Sequence, residues 1–254
     1  MRAPPVGAAA MSGLASLIYG VISYFTFLGA ILYSIGFVEN IGVPKTIDSG
    51  TPGPLVASIA INLVLLGIFG IQHSVMARAG FKAWWTRFVP PAIERSTYVL
   101  FANLALILVL WQWRPIAIPL WAVSNPAFAG PLIVLSWAGW GLVFLSTFLI
   151  NHFDLLGLQQ VYNRFRRWQA KAQQFRTPLF YKLVRHPLYL GFIIAFWSTP
   201  VMTVGHLLFA AATTAYIFIG IWLEERDLVE HFGDAYISYR SRVPIIVPLP
   251  QLRD

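Results

Sequence analysis

Four long apolar runs and one broken one organise this chain. They cover about Ser12 to Val38, Leu55 to Met76, Thr97 to Trp113 and Pro131 to Ile150. Each is near the ~20 residues that cross a hydrocarbon core as a helix. After a polar stretch, Leu188 to Trp222 is apolar again but interrupted at Ser198-Thr199-Pro200 and Gly205-His206. That length suits a helical hairpin whose first arm stops at Pro200. The pattern predicts an all-α, polytopic integral membrane protein with five to six transmembrane helices. The number depends on whether the hairpin crosses fully. The first run is too long for the apolar core of a signal peptide and is expected to be retained. One domain, 1–254, is expected, with a four-helix membrane part at 1–150 and the hairpin within 151–254.

Composition agrees. Apolar residues make up 57% of 254 positions and charged residues 11%, against roughly 25% charged in an average soluble domain; the mean hydropathy is +0.66. The absence of Cys excludes disulfides, thiolate metal sites and a cysteine nucleophile. Five dispersed His without ligand spacing predict no metal. Eighteen Lys and Arg against ten Asp and Glu would suggest nucleic acid in a soluble protein; here they report topology instead. With the N-terminus inside, the inner segments hold Arg2; Arg78, Lys82, Arg87 and Arg95; Arg164, Arg166, Arg167, Lys171, Arg176, Lys182 and Arg185; and Arg226, Arg240, Arg242 and Arg253. Only Lys45 and Arg114 fall outside. That asymmetry predicts cytoplasmic N- and C-termini. The basic stretch from Arg164 to Arg185 is expected to meet anionic lipid headgroups, and most of the ten Trp to sit in interface belts.

The same topology gathers polar residues on one side. Gln72, His73 and Ser74 end the second run, and Glu94, Arg95 and Tyr98 open the third. Asn151, His152 and Asp154 follow the fourth, Arg185 and His186 open the hairpin, and Glu224 and Glu225 close it. Polar groups at membrane depth are costly, so their convergence points to a site. Solvated or snorkelling helix ends are the alternative.

Arg185-His186-Pro187-Leu188-Tyr189-Leu190-Gly191 is followed by Glu224-Glu225-Arg226-Asp227-Leu228, then by Phe232-Gly233-Asp234-Ala235-Tyr236, Tyr239 and Val243-Pro244. This array resembles the C-terminal region of membrane-embedded S-adenosylmethionine-dependent methyltransferases, among them the isoprenylcysteine carboxyl and phospholipid N-methyltransferases. The resemblance implies that 151–254 binds S-adenosylmethionine through Arg185, His186, Tyr189, Leu190, Gly191, Glu224, Glu225, Tyr236, Tyr239 and Arg240. No Gly-rich strand–helix turn is present, so side chains and helix ends must hold the cofactor. Arg185 and His186, before a helix begun by Pro187, can add donors to its free N–H groups for the cofactor carboxylate. Gly191 allows close backbone approach. Glu224 or Glu225 can accept from the ammonium or the ribose. Tyr236, Tyr239 and Arg240, at i, i+3 and i+4, can form a lid. The alternatives are helix capping for His186 and simple ion pairing for the two Glu.

Residues 72–78 (QHSVMAR), 94–100 (ERSTYVL) and 151–162 (NHFDLLGLQQVY) are similar to those of bacterial methanethiol S-methyltransferases. That resemblance implies an enzyme of the bacterial inner membrane that makes dimethyl sulfide from methanethiol. Gln72, His73, Glu94, Arg95 and Tyr98 are the expected substrate pocket. For the catalytic group the candidates are His152 with Asp154 beside it, which can take the thiol proton, and Arg185 and Glu224. The alternatives are a methyltransferase for isoprenylcysteine carboxylate or a lipid amine, and a haem-binding isomerase or denitrification-associated protein using His73 with His152 or His206.

Overall fold

A computed structural model describes residues 11–169 and 175–248. The topology residues Arg2, Lys171 and Arg253 lie outside the described residues. Among the described residues, five helices are long and apolar enough to cross a membrane: α1 (Gly13–Val38), α2 (Leu55–Ala77), α4 (Pro91–Gln112), α5 (Pro126–Ile150) and α9 (Val204–Phe232). The protein is an integral membrane protein. Short elements connect these spans, α3 (Ala79–Trp85), α6 (His152–Leu155), α7 (Leu158–Arg166) and α8 (Pro187–Trp197), and α10 (Asp234–Arg240) follows the last.

Local chemistry sets the ends. Ser12 accepts from the N–H of Ala15 to start α1, Asn125 from Ala127 before Pro126 opens α5, and Thr203 from His206 to start α9. Large apolar side chains such as Val56 and Ile71 on α2 stay exposed, as lipid-facing positions should. The core gathers Ile31, Phe37, Val109, Trp113, Trp140, Phe196 and Phe209 from α1, α4, α5, α8 and α9.

The expected hairpin is unequal. Its first arm, α8, has 11 residues, about 16 Å of rise and half of a ~30 Å core. The second, α9, has 29 residues and runs past Glu224 and Glu225 to Phe232. α8 packs on α5 at a glycine contact: a Cβ on Gly139 would come within 2.6 Å of the Ala195 nitrogen, and one on Gly191 within 2.7 Å of the Gly139 carbonyl. Gly191 is thus used for helix packing. The chain also holds a two-stranded antiparallel ribbon, β1 (Pro119–Ala122) with β2 (Val201–Thr203), which the helical pattern did not anticipate.

Candidate active site

α8 begins at Pro187, whose fixed φ suits a first helical position. Just before it, the Arg185 N–H donates to the Pro244 carbonyl (2.8 Å) and that of His186 to Ile245 (3.1 Å). The C-terminal segment is thereby laid against the start of α8. The Arg185 side chain, 9% exposed, donates from Nε to Glu225 Oε1 (2.7 Å) and from Nη1 to the carbonyls of Arg240 (2.9 Å) and Val243 (2.7 Å). His186 Nε2–H donates to the same Glu225 oxygen at 3.1 Å. Buried charges persist only when paired and hydrogen-bonded in this way.

Glu224 differs from its neighbour. Its side chain is 45% exposed; it accepts the Tyr189 hydroxyl at 2.9 Å, and its Oε2 lies 3.9 Å from His186 Nδ1. Leu188 and Tyr189, in the first turn of α8, have backbone N–H groups with no partner among the described residues, as helix geometry leaves them. They join an exposed carboxylate to free anion-binding donors.

Several residues expected to touch a cofactor have partners within the protein. Arg185 spends its Nε and Nη1 donors on the protein, since Glu225 and two carbonyls sit within their reach. Leu190 packs with Ile217, Ile221 and Ile246. Tyr236 and Tyr239 do share a buried face, packed with Phe175, Phe232 and Val243, and Tyr239 donates to the Tyr181 carbonyl (2.6 Å). Burial pushes the Tyr239 phenol up to about 12, and burial with the Glu225 charge raises that of Tyr236. Both stay protonated at neutral pH. Arg240 is exposed and contributes its carbonyl.

On the membrane side, the Tyr98 hydroxyl lies 2.9 Å from His73 Nε2. His73 Nδ1 is buried without a partner, as is Gln72 Oε1, whose amide nitrogen reaches Met76 Sδ at 3.0 Å. Arg95 places its guanidinium 5.0 Å above the Tyr98 ring and donates to the Leu155 carbonyl (2.8 Å). Glu94 stands in the first turn of α4, where it complements the helix dipole, and no hydrogen bond joins it to His73 or Tyr98. Burial and the Arg95 charge hold the Lys82 ammonium below its ordinary pKa, against a weaker pull from Glu94. Tyr216 of α9 packs beside the His73–Tyr98 pair. Its hydroxyl is 3.1 Å from Ser74 Oγ and its ring 6.4 Å from that of His73. An Arg78–Asp227 ion pair at 3.0 Å ties the same ends of α2 and α9.

His152 is built differently from expectation. Thr147 donates its one hydroxyl proton to the Phe144 carbonyl (2.7 Å), so at 2.8 Å from His152 Nδ1 it accepts, which places the ring proton on Nδ1. Nε2 then accepts from the Tyr24 hydroxyl at 3.1 Å, and Phe148 stacks on the ring at 4.2 Å. With both nitrogens engaged, Asp154 does not orient this imidazole; it accepts from Gln160 instead (3.0 Å). Burial lowers the His152 pKa, keeping the ring neutral. His206, a ligand in the haem alternative, donates to the Phe196 carbonyl (2.8 Å) near the ribbon, at the opposite end. Tyr24, Thr147 and Tyr216 escaped the sequence reading because each lies inside an apolar run. Only the i+8 spacing from Tyr216 to Glu224 offered a signal.

Polar ends of membrane helices that present a carboxylate, helix N–H groups and an unpartnered imidazole nitrogen at one end of the bundle make up the candidate site of an integral membrane enzyme. The chain belongs to the methanethiol S-methyltransferase family. It is 57% identical over 233 residues to methanethiol S-methyltransferase 1 of Bradyrhizobium diazoefficiens, covering 92% of this chain and 82% of that protein. It is 52% identical over 235 residues to the methanethiol S-methyltransferase of Mycobacterium tuberculosis, covering 92% and 96%. Nurim of Mus musculus is 32% identical over 183 residues, covering 68% and 69%. No family model matches the chain, and no solved structure does.

Proposed function

We propose that this protein moves the methyl group of S-adenosylmethionine to methanethiol, giving dimethyl sulfide, at the cytoplasmic face of a bacterial inner membrane. The observation that carries the reading is that α9 joins two unlike groups, Tyr189–Glu224 on one side and His73–Tyr98 on the other. Family membership supplies the acceptor. The residues suit the donor's charges: Glu224 accepts its ammonium, and the Leu188 and Tyr189 N–H groups take its carboxylate at the positive end of α8. S-adenosylmethionine supplies an electrophilic methyl on a sulfonium. Arg185, His186 and Glu225 hold α8, α9 and the C-terminal segment in register around it.

On the acceptor side, His73 Nε2 is the acceptor for the Tyr98 hydroxyl proton, leaving Nδ1–H to donate to sulfur. The Arg95 cation favours the thiolate over a thiol of pKa ~8.5 or above. Once the thiol proton has left to water, thiolate and sulfonium cancel their charges as they react, a step that a dry site favours. In-line placement does the rest. The whole chain, 1–254, acts as one domain with both termini cytoplasmic, and its basic inner segments meet lipid headgroups.

Purified protein given methanethiol and methyl-labelled S-adenosylmethionine is expected to release labelled dimethyl sulfide to the headspace. Glu224→Gln is expected to weaken donor binding about tenfold by calorimetry, the scale of one charged hydrogen bond. Label found only in lipid or in a prenylcysteine ester would replace the acceptor. Undiminished binding in the variant would move the donor elsewhere.

A further inference from the structure

Tyr216, Gly220 and Glu224 stand at i, i+4 and i+8 on α9 and so form one stripe. Each neighbours something different. Tyr216 lies with its ring on Gly70 of α2, where an added Cβ would be 3.1 Å from a ring carbon, and its hydroxyl meets Ser74 at 3.1 Å. Glu224 holds the Tyr189 hydroxyl. Between them Gly220 leaves a gap. A Cβ built there meets only the Tyr189 hydroxyl, at 3.9 Å. Gly20, Gly36, Gly139, Gly157 and Gly191 each press within 2.7 Å of a neighbouring helix or loop, whereas Gly220, like Gly29, Gly67 and Gly141, has room for a side chain. Packing therefore explains the first five, and of the four with open space Gly220 is the one that faces a side chain of the site, the Tyr189 hydroxyl. A helix interior also disfavours glycine by about 1 kcal/mol relative to alanine, so local stability argues against it as well.

We infer that Gly220 and Tyr216 together set the size of the acceptor. Gly220 keeps a side-chain-free notch in α9 between the His73–Tyr98–Tyr216 group and Glu224, through which the acceptor sulfur meets the methyl group. Tyr216, fixed by Gly70 and Ser74, closes the far side of that notch behind a one-carbon thiol. The inference rests on the methyl-transfer reading above and adds to it the residues that choose among thiols.

The test uses the full-length protein with methanethiol, ethanethiol and propanethiol, and calorimetry of S-adenosylmethionine in parallel. Gly220→Ala is expected to lower kcat for methanethiol about tenfold and Gly220→Val about a hundredfold, with donor Kd within about threefold of wild type. Both changes relieve a helix glycine, and open space surrounds the new Cβ, so folding is not at risk. Tyr216→Ala is expected to raise kcat/KM for propanethiol relative to methanethiol at least tenfold, since one methylene commands about 10–200-fold in an apolar pocket and propanethiol carries two more. Tyr216→Phe, which keeps the ring, keeps the methanethiol preference. Unchanged methanethiol turnover in Gly220→Val, loss of donor binding in that variant, or a wild-type preference order in Tyr216→Ala would each overturn the inference. A wild-type protein that methylates none of these thiols would instead sink the underlying reading.

Discussion

The two ends of the helix bundle solve the problem of burying polar groups in opposite ways. At the ribbon end, most ties are between neutral groups and the backbone, with Glu39 and Asp48 each accepting from neutral side chains. Asn62 exchanges two hydrogen bonds with the main chain of Arg114, both 2.8 Å, Trp113 Nε1 donates to the Ile47 carbonyl, and Thr203 donates to Asp48 at 2.5 Å. The N–H groups of Val204 and Gly205 return to Ile118 and Ile116. At the other end, charged side chains serve one another: Arg185 and His186 converge on Glu225, Tyr189 on Glu224, and Arg78 on Asp227. There His73 Nδ1 and Gln72 Oε1 lie together, buried and without partners; at the ribbon end His206 Nδ1 is in the same state. An end tied mainly through neutral groups is a clasp. An end that leaves donors and acceptors facing one another keeps capacity for a ligand.

The largest expected effect tests whether the charged end is also structural. Glu225→Ala strands the Arg185 guanidinium, whose side chain is 8% exposed, without its counter-charge. Breaking a buried pair from one side costs about 3–5 kcal/mol. The variant should lose stability on that scale in a detergent melt and lose donor binding at least a hundredfold, because α8 and the C-terminal segment are no longer tied to α9. A full-strength melt with lost binding would make Glu225 a pure ligand contact. Retained binding would remove the comparison's charged half.

Next in size is the clasp. Asn62→Leu leaves an N–H and a carbonyl of Arg114 without partners, at about 1–3 kcal/mol each. Thermal unfolding should fall accordingly, while kcat and KM for methanethiol stay at wild-type values. A change in KM would mean that the ribbon end communicates with the site.

The spans were legible because lipid-facing helices need continuous apolar sequence, and α1 and α2 follow that pattern almost to the residue. Their polar extensions were not. α4 begins at Pro91 and carries Glu94 and Arg95 in its opening turns; α9 continues through Glu224 and Glu225. Hydropathy ends where charge begins, whereas helical hydrogen bonding does not. In the site, the convergence of Arg185, His186, Glu224, Glu225, His73 and Tyr98 on one end could be read from topology and motif. The division of labour could not, since Glu224 and Glu225 are neighbours in sequence and only burial separates the exposed acceptor from the buried tie. Gly191 shows the same limit: its partner is Gly139, 52 positions away, and nothing local reveals the pair.

The smallest effect concerns His152, which stands at the charged end but is built like the clasp, with both nitrogens engaged by Thr147 and Tyr24. Burial lowers its pKa in the folded protein, whereas the unfolded chain titrates near ~6.5. Between the lowered folded pKa and that value the unfolded state binds the extra proton more readily than the folded state. The stability tied to the neutral ring is therefore present above pH ~6.5 and lost as pH falls through it. In His152→Asn, the drop in melting temperature between pH 7 and 5.5 should be shallower than in wild type. Methyl transfer should stay within about threefold at pH 7, because a ring whose lone pair already accepts from Tyr24 has none left for a thiol proton. A hundredfold loss of turnover with an unchanged melt would make His152 the proton acceptor after all, and the line between the two designs would then run through this residue.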